Sequence, residues 1–358
     1  MKSPLLGPDG LPRERRLAVM AAGAAMTIVA ALVLLIVVSQ VIYRTPGPKA
    51  ANGQVTNVIL RPGAGVSEIG STLARAHVVR SGAVFAAMAE LSGAGRKLKA
   101  GEYDFPSGAS MAKVTQMIRK GQIVHHVVHV PEGLTSEMVV DILMANPFMT
   151  GAAPVPEEGS ILPETYEFRR GEDRAAVLQR MMDARDKVLG ELWAQRKQGL
   201  PYASPQEAVI LASIVEKETA KDNERPHVAS VYLNRLKQGM RLGADPTVIY
   251  GISHGRPLGR GITASELSAA TPYNTYAIDG LPAGPICNPG RASLAAVLDP
   301  AETNDLYFVA TGQGGHVFAA TEAEHEANVA KWRKVEKSAP AWTAQAGGPA
   351  PIAKAKRK

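Results

Sequence analysis

Glu218 closes an apolar helix face, which makes its carboxyl the first candidate for chemistry. The segment from Ala208 to Ala220 reads AVILASIVEKETA, with Leu211, Ile214, Val215 and Glu218 at the i, i+3, i+4, i+7 spacing of one face. A carboxyl that continues a hydrophobic stripe loses hydration, and its pKa rises toward neutrality. Held protonated there, it is a general acid of the kind that a departing glycosidic oxygen requires. The same pattern also suits a core helix that ends on a salt-bridged structural glutamate. Glu216 lies two residues earlier, about 160° round the helix, and is expected to meet solvent.

Three more stretches are too polar and irregular to serve packing alone. Arg241 to Gly251 (RLGADPTVIYG) offers Asp245, Thr247 and Tyr250 in a turn-like setting, and an ordinary capped turn would look the same. Thr271 to Tyr276 (TPYNTY) offers the rings of Tyr273 and Tyr276 and the amide of Asn274, groups able to stack on sugars and to bind their hydroxyl and N-acetyl groups. Gly280 to Gly290 (GLPAGPICNPG) reads as a rigid Gly/Pro loop, with Cys287 buried as a small hydrophobe. Cys287 is the only cysteine, so no internal disulfide forms, and no zinc-ligand spacing can be built from it and the scattered histidines. His125, His126 and His129 sit in or beside a predicted strand and read as core or solvent-facing histidines rather than metal ligands.

The elements that must position these groups follow from periodicity. Arg174 to Gln198 is a long helical stretch with Val177, Met181, Met182, Val188 and Leu192 inward, and the Glu218 helix begins near Pro205. A following helix, capped by Asp222 or Asn223, turns Val228, Val231, Tyr232 and Leu236 inward. Leu306 to Val309 predicts a strand, and Thr321 to Val335 a closing helix. Upstream lies a weak repeat of strand, turn and capped helix. Pro106 is followed by Val114 and Ile118, Pro131 by Val139 and Leu143, and a shorter copy at Pro62 by Ile69 and Leu73. Val58 to Leu60 and Val127 to Val130 would supply strands.

Residues 17–38 carry no charge and are long enough to cross a bilayer as a helix. Arg13, Arg15 and Arg16 precede them, and only Arg44 and Lys49 follow closely, so the positive-inside bias places the N-terminus in the cytoplasm and the rest outside. Ser39-Gln40-Val41 is a poor cleavage site, which favours an uncleaved anchor over a signal peptide. The chain's formal charge is +7, of which residues 1–16 hold +2 and residues 338–358 hold +4. The body is therefore almost neutral and carries no basic stripe with interleaved aromatics, which argues against nucleic acid. The predicted fold class is α+β. The expected order is a cytoplasmic tail at 1–16, a transmembrane helix at 17–38, a linker at 39–56, a small α/β module at 57–124, a mixed α+β domain at 125–337 and a disordered basic tail at 338–358.

SIVEKET at Ser213 to Thr219, DPTVIYG at Asp245 to Gly251, TPYNTY at Thr271 to Tyr276 and GLPAGPICNPG at Gly280 to Gly290 together resemble the endolytic murein transglycosylases. LPETY at Leu162 to Tyr166, with Glu164 where that family more often has Asp, YFVA at Tyr307, GHVF at Gly315 and Glu324-His325 extend the resemblance over residues 57 to 335. It implies a membrane-anchored enzyme with a LysM-like module at 57–124 and a catalytic domain outside the cytoplasm, in the bacterial inner membrane. It also implies cleavage of the bond between N-acetylmuramic acid and N-acetylglucosamine in peptidoglycan strands, leaving 1,6-anhydro ends and ending strand elongation. Glu218 aligns with the family's catalytic glutamate, Asp245, Thr247, Tyr250, Tyr273 and Asn274 would position the sugars, no cofactor or metal is needed, and cell-wall synthases (penicillin-binding proteins) are the implied partners. Two rivals stand beside this: a hydrolase using Asp245 or Glu164 as a second carboxylate, and a non-enzymatic peptidoglycan-binding scaffold.

Overall fold

The structure is a computed structural model that describes residues 13–312 and 314–338. The expected basic tail from 339 onward, and most of the expected cytoplasmic tail, lie outside the described residues. The chain divides into two compact units, residues 1–125 and 126–358. The architecture is mixed α+β, as the sequence predicts, with three separate two-stranded antiparallel sheets among the described residues.

In the first unit, α1 (Arg13–Arg44) carries its apolar side chains exposed and is long and apolar enough to cross a membrane. It continues six residues past Val38. There follow β1 (Val55–Leu60), α2 (Val66–Arg75), α3 (Gly82–Leu91), β2 (Gly101–Pro106) and α4 (Met111–Lys120). β1 and β2 pair from Val55 opposite Pro106 to Leu60 opposite Gly101. Leu60, Leu73, Phe85, Tyr103, Phe105, Val114 and Ile118 form the core. α2 and α3 cross where a Cβ on Gly70 would lie 2.4 Å from the Gly82 carbonyl oxygen, so only glycine permits the approach.

The second unit begins with β3 (His126–His129), α5 (Ser136–Ala145), β4 (Thr165–Phe168) and α6 (Arg174–Ala194). β3 and β4 pair antiparallel over a small core of Val128, Val139, Leu143, Phe168, Val177 and Met181. The predicted succession of strand, turn and helix is present as β1–α2, β2–α4 and β3–α5, but the Ser or Thr cap is missing from the first copy, where Gly65 flanks α2 and offers no side chain. Ser110 and Thr135 cap α4 and α5 by accepting from Lys113 N and Met138 N. The repeat therefore spans both units. α7 (Pro205–Glu218), α8 (Arg225–Lys237) and α11 (Arg291–Leu298) build the larger core, with α9 (Asp245–Ser253) and α10 (Ala264–Ser268) alongside. β5 (Tyr307–Ala310), β6 (His316–Ala319) and α12 (Glu322–Ser338) complete the described chain.

Two local expectations are corrected. Asp245 to Gly251 is the body of α9, not a turn. Pro246 sits in the first turn, where no intrahelical N–H is required, and Val248 and Tyr250 are buried. The residue flanking α8 is Glu224, not Asp222 or Asn223, because the chain turns through Lys221–Glu224 before the helix starts.

Candidate functional site

α7 is buried on nearly every side: Ala208, Leu211, Ala212, Ile214 and Val215 have no exposed surface. Ser204 caps it by accepting from Glu207 N, and Pro205 occupies its first turn. A carboxyl in the last turn of such a helix finds protein rather than water. Glu218 is 9% exposed, and the Tyr232 hydroxyl donates to its Oε1 at 2.8 Å. Burial pushes its pKa up to about 7; the Tyr232 hydrogen bond opposes the rise, the Asp245 charge adds to it, and Arg235 works against it. The other carboxyl oxygen, Oε2, has no hydrogen-bond partner among the described residues.

Tyr232 and Arg235 are one turn apart on α8, and both are buried. Arg235 donates from Nε to Leu306 O and from Nη1 to Leu242 O, both at 2.6 Å, and lies over the Tyr307 ring. Asp245 is half-buried at the first position of α9, and its Oδ1 accepts from the Tyr276 hydroxyl at 2.6 Å. Burial and then the Asp245 charge raise the Tyr276 phenol, so it stays a donor. Glu218, Tyr232, Arg235, Asp245 and Tyr276 thus form one charge-coupled cluster.

The other predicted residues fall beside it. Tyr250 and Tyr273 lie with ring centroids 4.8 Å apart. The Tyr250 hydroxyl donates to Glu158 Oε2 at 3.3 Å. Thr247 is fully buried; its hydroxyl donates to Ala244 O at 2.6 Å and meets the Thr275 hydroxyl at 2.9 Å. Asn274 donates its amide to Glu266 O, Leu267 O and Ala269 O and accepts from Tyr276 N. These bonds hold the segment that carries Tyr273 and Tyr276 against the end of α10.

Glu216 is not solvent-facing. Its side chain is 5% exposed, accepts from Gly290 N at 2.9 Å, and pairs with the buried Arg225 at 3.4 Å. Arg225 also bonds Ser293, Glu132 and Asp222. The far side of α7 faces the 280–290 loop, not water, and that loop consumes the carboxyl. The loop is fastened further by Ile286 N donating to Ser213 Oγ at 3.0 Å, with Cys287 fully buried as predicted.

Residues absent from the sequence reading also shape the site. The sequence marks Tyr232 only as core and Tyr276 only as an aromatic face, and it does not mark Arg235. Arg235 nonetheless continues the Val228–Val231–Tyr232 face of α8 as Glu218 continues that of α7, a legible signal. Glu158 had no such signal. It lies in a loop, accepts from Ser136 N at 2.8 Å and from the Asn288 amide at 3.2 Å, and burial raises its pKa. Among the described residues, no group of three or more His, Cys, Asp or Glu is arranged to hold a metal ion.

A family model described as the YceG-like family matches residues 58–331. The chain belongs to that family. Among its relatives, the endolytic murein transglycosylase of Streptococcus pneumoniae serotype 2 (strain D39 / NCTC 7466) is 27% identical over 318 residues, covering 75% of this chain and 57% of that protein. The endolytic murein transglycosylase of Bacillus subtilis (strain 168) is 34% identical over 171 residues, covering 48% of this chain and 46% of that protein. The chain thus spans about half the length of the curated relatives it matches. The crystal structure of a YceG-like protein from Listeria monocytogenes superposes with a TM-score of 0.46 at 27% identity, over 77% of this chain and 99% of that one.

Proposed function

We propose that this YceG-like protein is an endolytic peptidoglycan lytic transglycosylase with Glu218 as its acid and then its base. The observation that carries the reading is a buried carboxyl with one oxygen anchored by Tyr232, the other unpartnered, and a pKa raised to about 7. The names of the relatives support the substrate class.

Glu218 Oε2 gives its proton to the glycosidic oxygen between N-acetylmuramic acid and N-acetylglucosamine as that bond breaks. The positive charge growing on the anomeric carbon is relieved by the sugar's own N-acetyl group and favoured by the nearby Asp245 carboxylate. Arg235 steadies the Glu218 carboxylate left behind. That carboxylate then removes the proton from the C6 hydroxyl, whose oxygen closes a 1,6-anhydro ring, and Glu218 is protonated again. No second carboxylate has to activate water. Asp245, Tyr250 and Tyr273 contact the sugars, while Thr247 and Asn274 position them by fixing α9 and the 271–276 segment. Residues 57–124 act as a LysM-like module, residues 125–337 as the catalytic domain, and α1 as a single-pass inner-membrane anchor with a cytoplasmic N-terminus. Cleavage ends nascent strands beside the synthases that extend them. Mass spectrometry of the products separates this from hydrolysis: anhydro ends support it, and reducing ends overturn it.

A further inference from the structure

The near-neutral charge of the body conceals a strong division. Residues 57–124 hold nine Lys and Arg against four Asp and Glu, a net of +5, whereas residues 125–337 hold 21 against 27, a net of −6. Part of the positive charge gathers round one recess of about 570 Å³, lined by Arg96, Lys97, Leu98, Lys99 and Arg119. The four cations are exposed, and none has an ion-pair partner among the described residues. The recess has a fixed frame: Lys99 N donates to Ile118 O at 3.3 Å, and the Tyr103 hydroxyl donates to Lys99 O at 2.8 Å. Gly121, left-handed at the end of α4, leaves the space that the Lys99 stem fills; a Cβ there would lie 2.7 Å from Lys99 Cδ.

The recess has no aromatic ring in its lining, and the unit's Phe and Tyr rings are largely taken into its core. Phe85, Tyr103 and Phe105 are at most 1% exposed, and Tyr43 packs against the same core. What the recess offers is charge without rings, which fits carboxylates better than pyranose faces.

We propose that this recess binds the free carboxylates of the peptide stems that branch from a peptidoglycan strand. The ligand class rests on the function proposed above. A membrane surface fits less well. The chain leaving α1 bonds to the turn that precedes α4, with Gly47 N donating to Gly108 O and Ala50 N to Ser107 Oγ. Arg119 lies at the other end of that helix, about 14 Å away.

The test uses the full chain in phosphatidylcholine nanodiscs, as wild type and with Arg96, Lys97, Lys99 and Arg119 all changed to Gln, at 4 °C. Binding is measured to purified sacculi freed of other anionic polymers, to the same sacculi with their stem carboxylates capped as neutral methylamides by carbodiimide coupling, and to phosphatidylglycerol vesicles. Circular dichroism and Tm confirm that both proteins are equally folded. The variant is expected to bind intact sacculi about tenfold more weakly, or about 1.4 kcal/mol, a scale that four exposed charge contacts can supply. Wild type is expected to lose a similar factor on the capped sacculi, and on uncapped sacculi when salt screens the charges. Equal affinity of the two proteins for sacculi, or equal affinity of wild type for capped and uncapped sacculi, overturns the proposal. So does a variant defect confined to the vesicles. Turnover of soluble glycan oligomers by wild type is scored separately: an inactive protein that still binds stems through these residues would sink the enzymatic reading and leave this surface standing.

Discussion

The Tyr232 hydroxyl sits 2.8 Å from Glu218 Oε1, so a single phenol on α8 anchors the carboxyl that ends α7. Both groups are buried, and the phenol is held well above its ordinary pKa by burial and by the neighbouring carboxylate. It can therefore only donate. This bond favours the ionised form of Glu218. Tyr232→Phe should move the alkaline limb of the kcat/KM profile upward from near pH 7 and cost about 1 kcal/mol of stability. A profile identical to wild type would show that the bond does not tune the acid.

The raised pKa of Glu218 is also a statement about stability. Its folded value, about 7, exceeds the ordinary 4.5, so the folded state holds a proton that the unfolded chain has released. The stabilisation is full below pH 4.5 and is lost as pH rises through 7, a change of roughly 3 kcal/mol. Glu218→Gln lacks this dependence. The variant should gain on wild type by about that amount between pH 4.5 and pH 8 in urea titrations, since other carboxyls cancel in the difference. A gap that stays constant across this range would refute the assigned shift.

Glu216 calls for a different expectation. Removing its charge leaves the buried Arg225 with partly exposed Glu132 and exposed Asp222. Glu216→Gln should destabilise the fold by about 3 kcal/mol while the pH profile keeps its limb near 7. Denaturant unfolding measures the first and initial rates the second. A loss below about 0.5 kcal/mol would mean the ion pair carries no weight.

The contrast between the two glutamates marks what the sequence could and could not disclose. A 3.6-residue period names the face on which Glu218 lies, and the apolar residues on that face announce its burial. The same period says only that Glu216 points elsewhere. What occupies that direction is a loop more than 60 residues downstream, and its Gly290 N–H and the Arg225 guanidinium leave no local trace. The α9 helix was hidden by Asp-Pro at its start, a pair that suits turns and first helical turns alike. Glu158 joins Ser136, Tyr250 and Asn288, separations of 22, 92 and 130 residues, which only the fold reveals.

Topology is testable without enzymology. α1 is long enough to span a bilayer, and the proposed orientation puts everything after Arg44 outside the cytoplasm. A phosphatase reporter fused after Lys358, which folds only in an oxidising compartment, should be active. Activity instead from a reporter that works only in the cytoplasm would reverse the orientation.

Digesting purified glycan strands with wild type and Glu218→Gln, and weighing the products by mass spectrometry, decides whether Glu218 carries the reaction. Wild type should release fragments ending in 1,6-anhydro-N-acetylmuramic acid. Glu218→Gln, still folded by circular dichroism, should release them about a hundredfold or more slowly. Reducing ends from wild type, or anhydro ends released at an undiminished rate by Glu218→Gln, would mean that Glu218 is not the acid of a lytic transglycosylase.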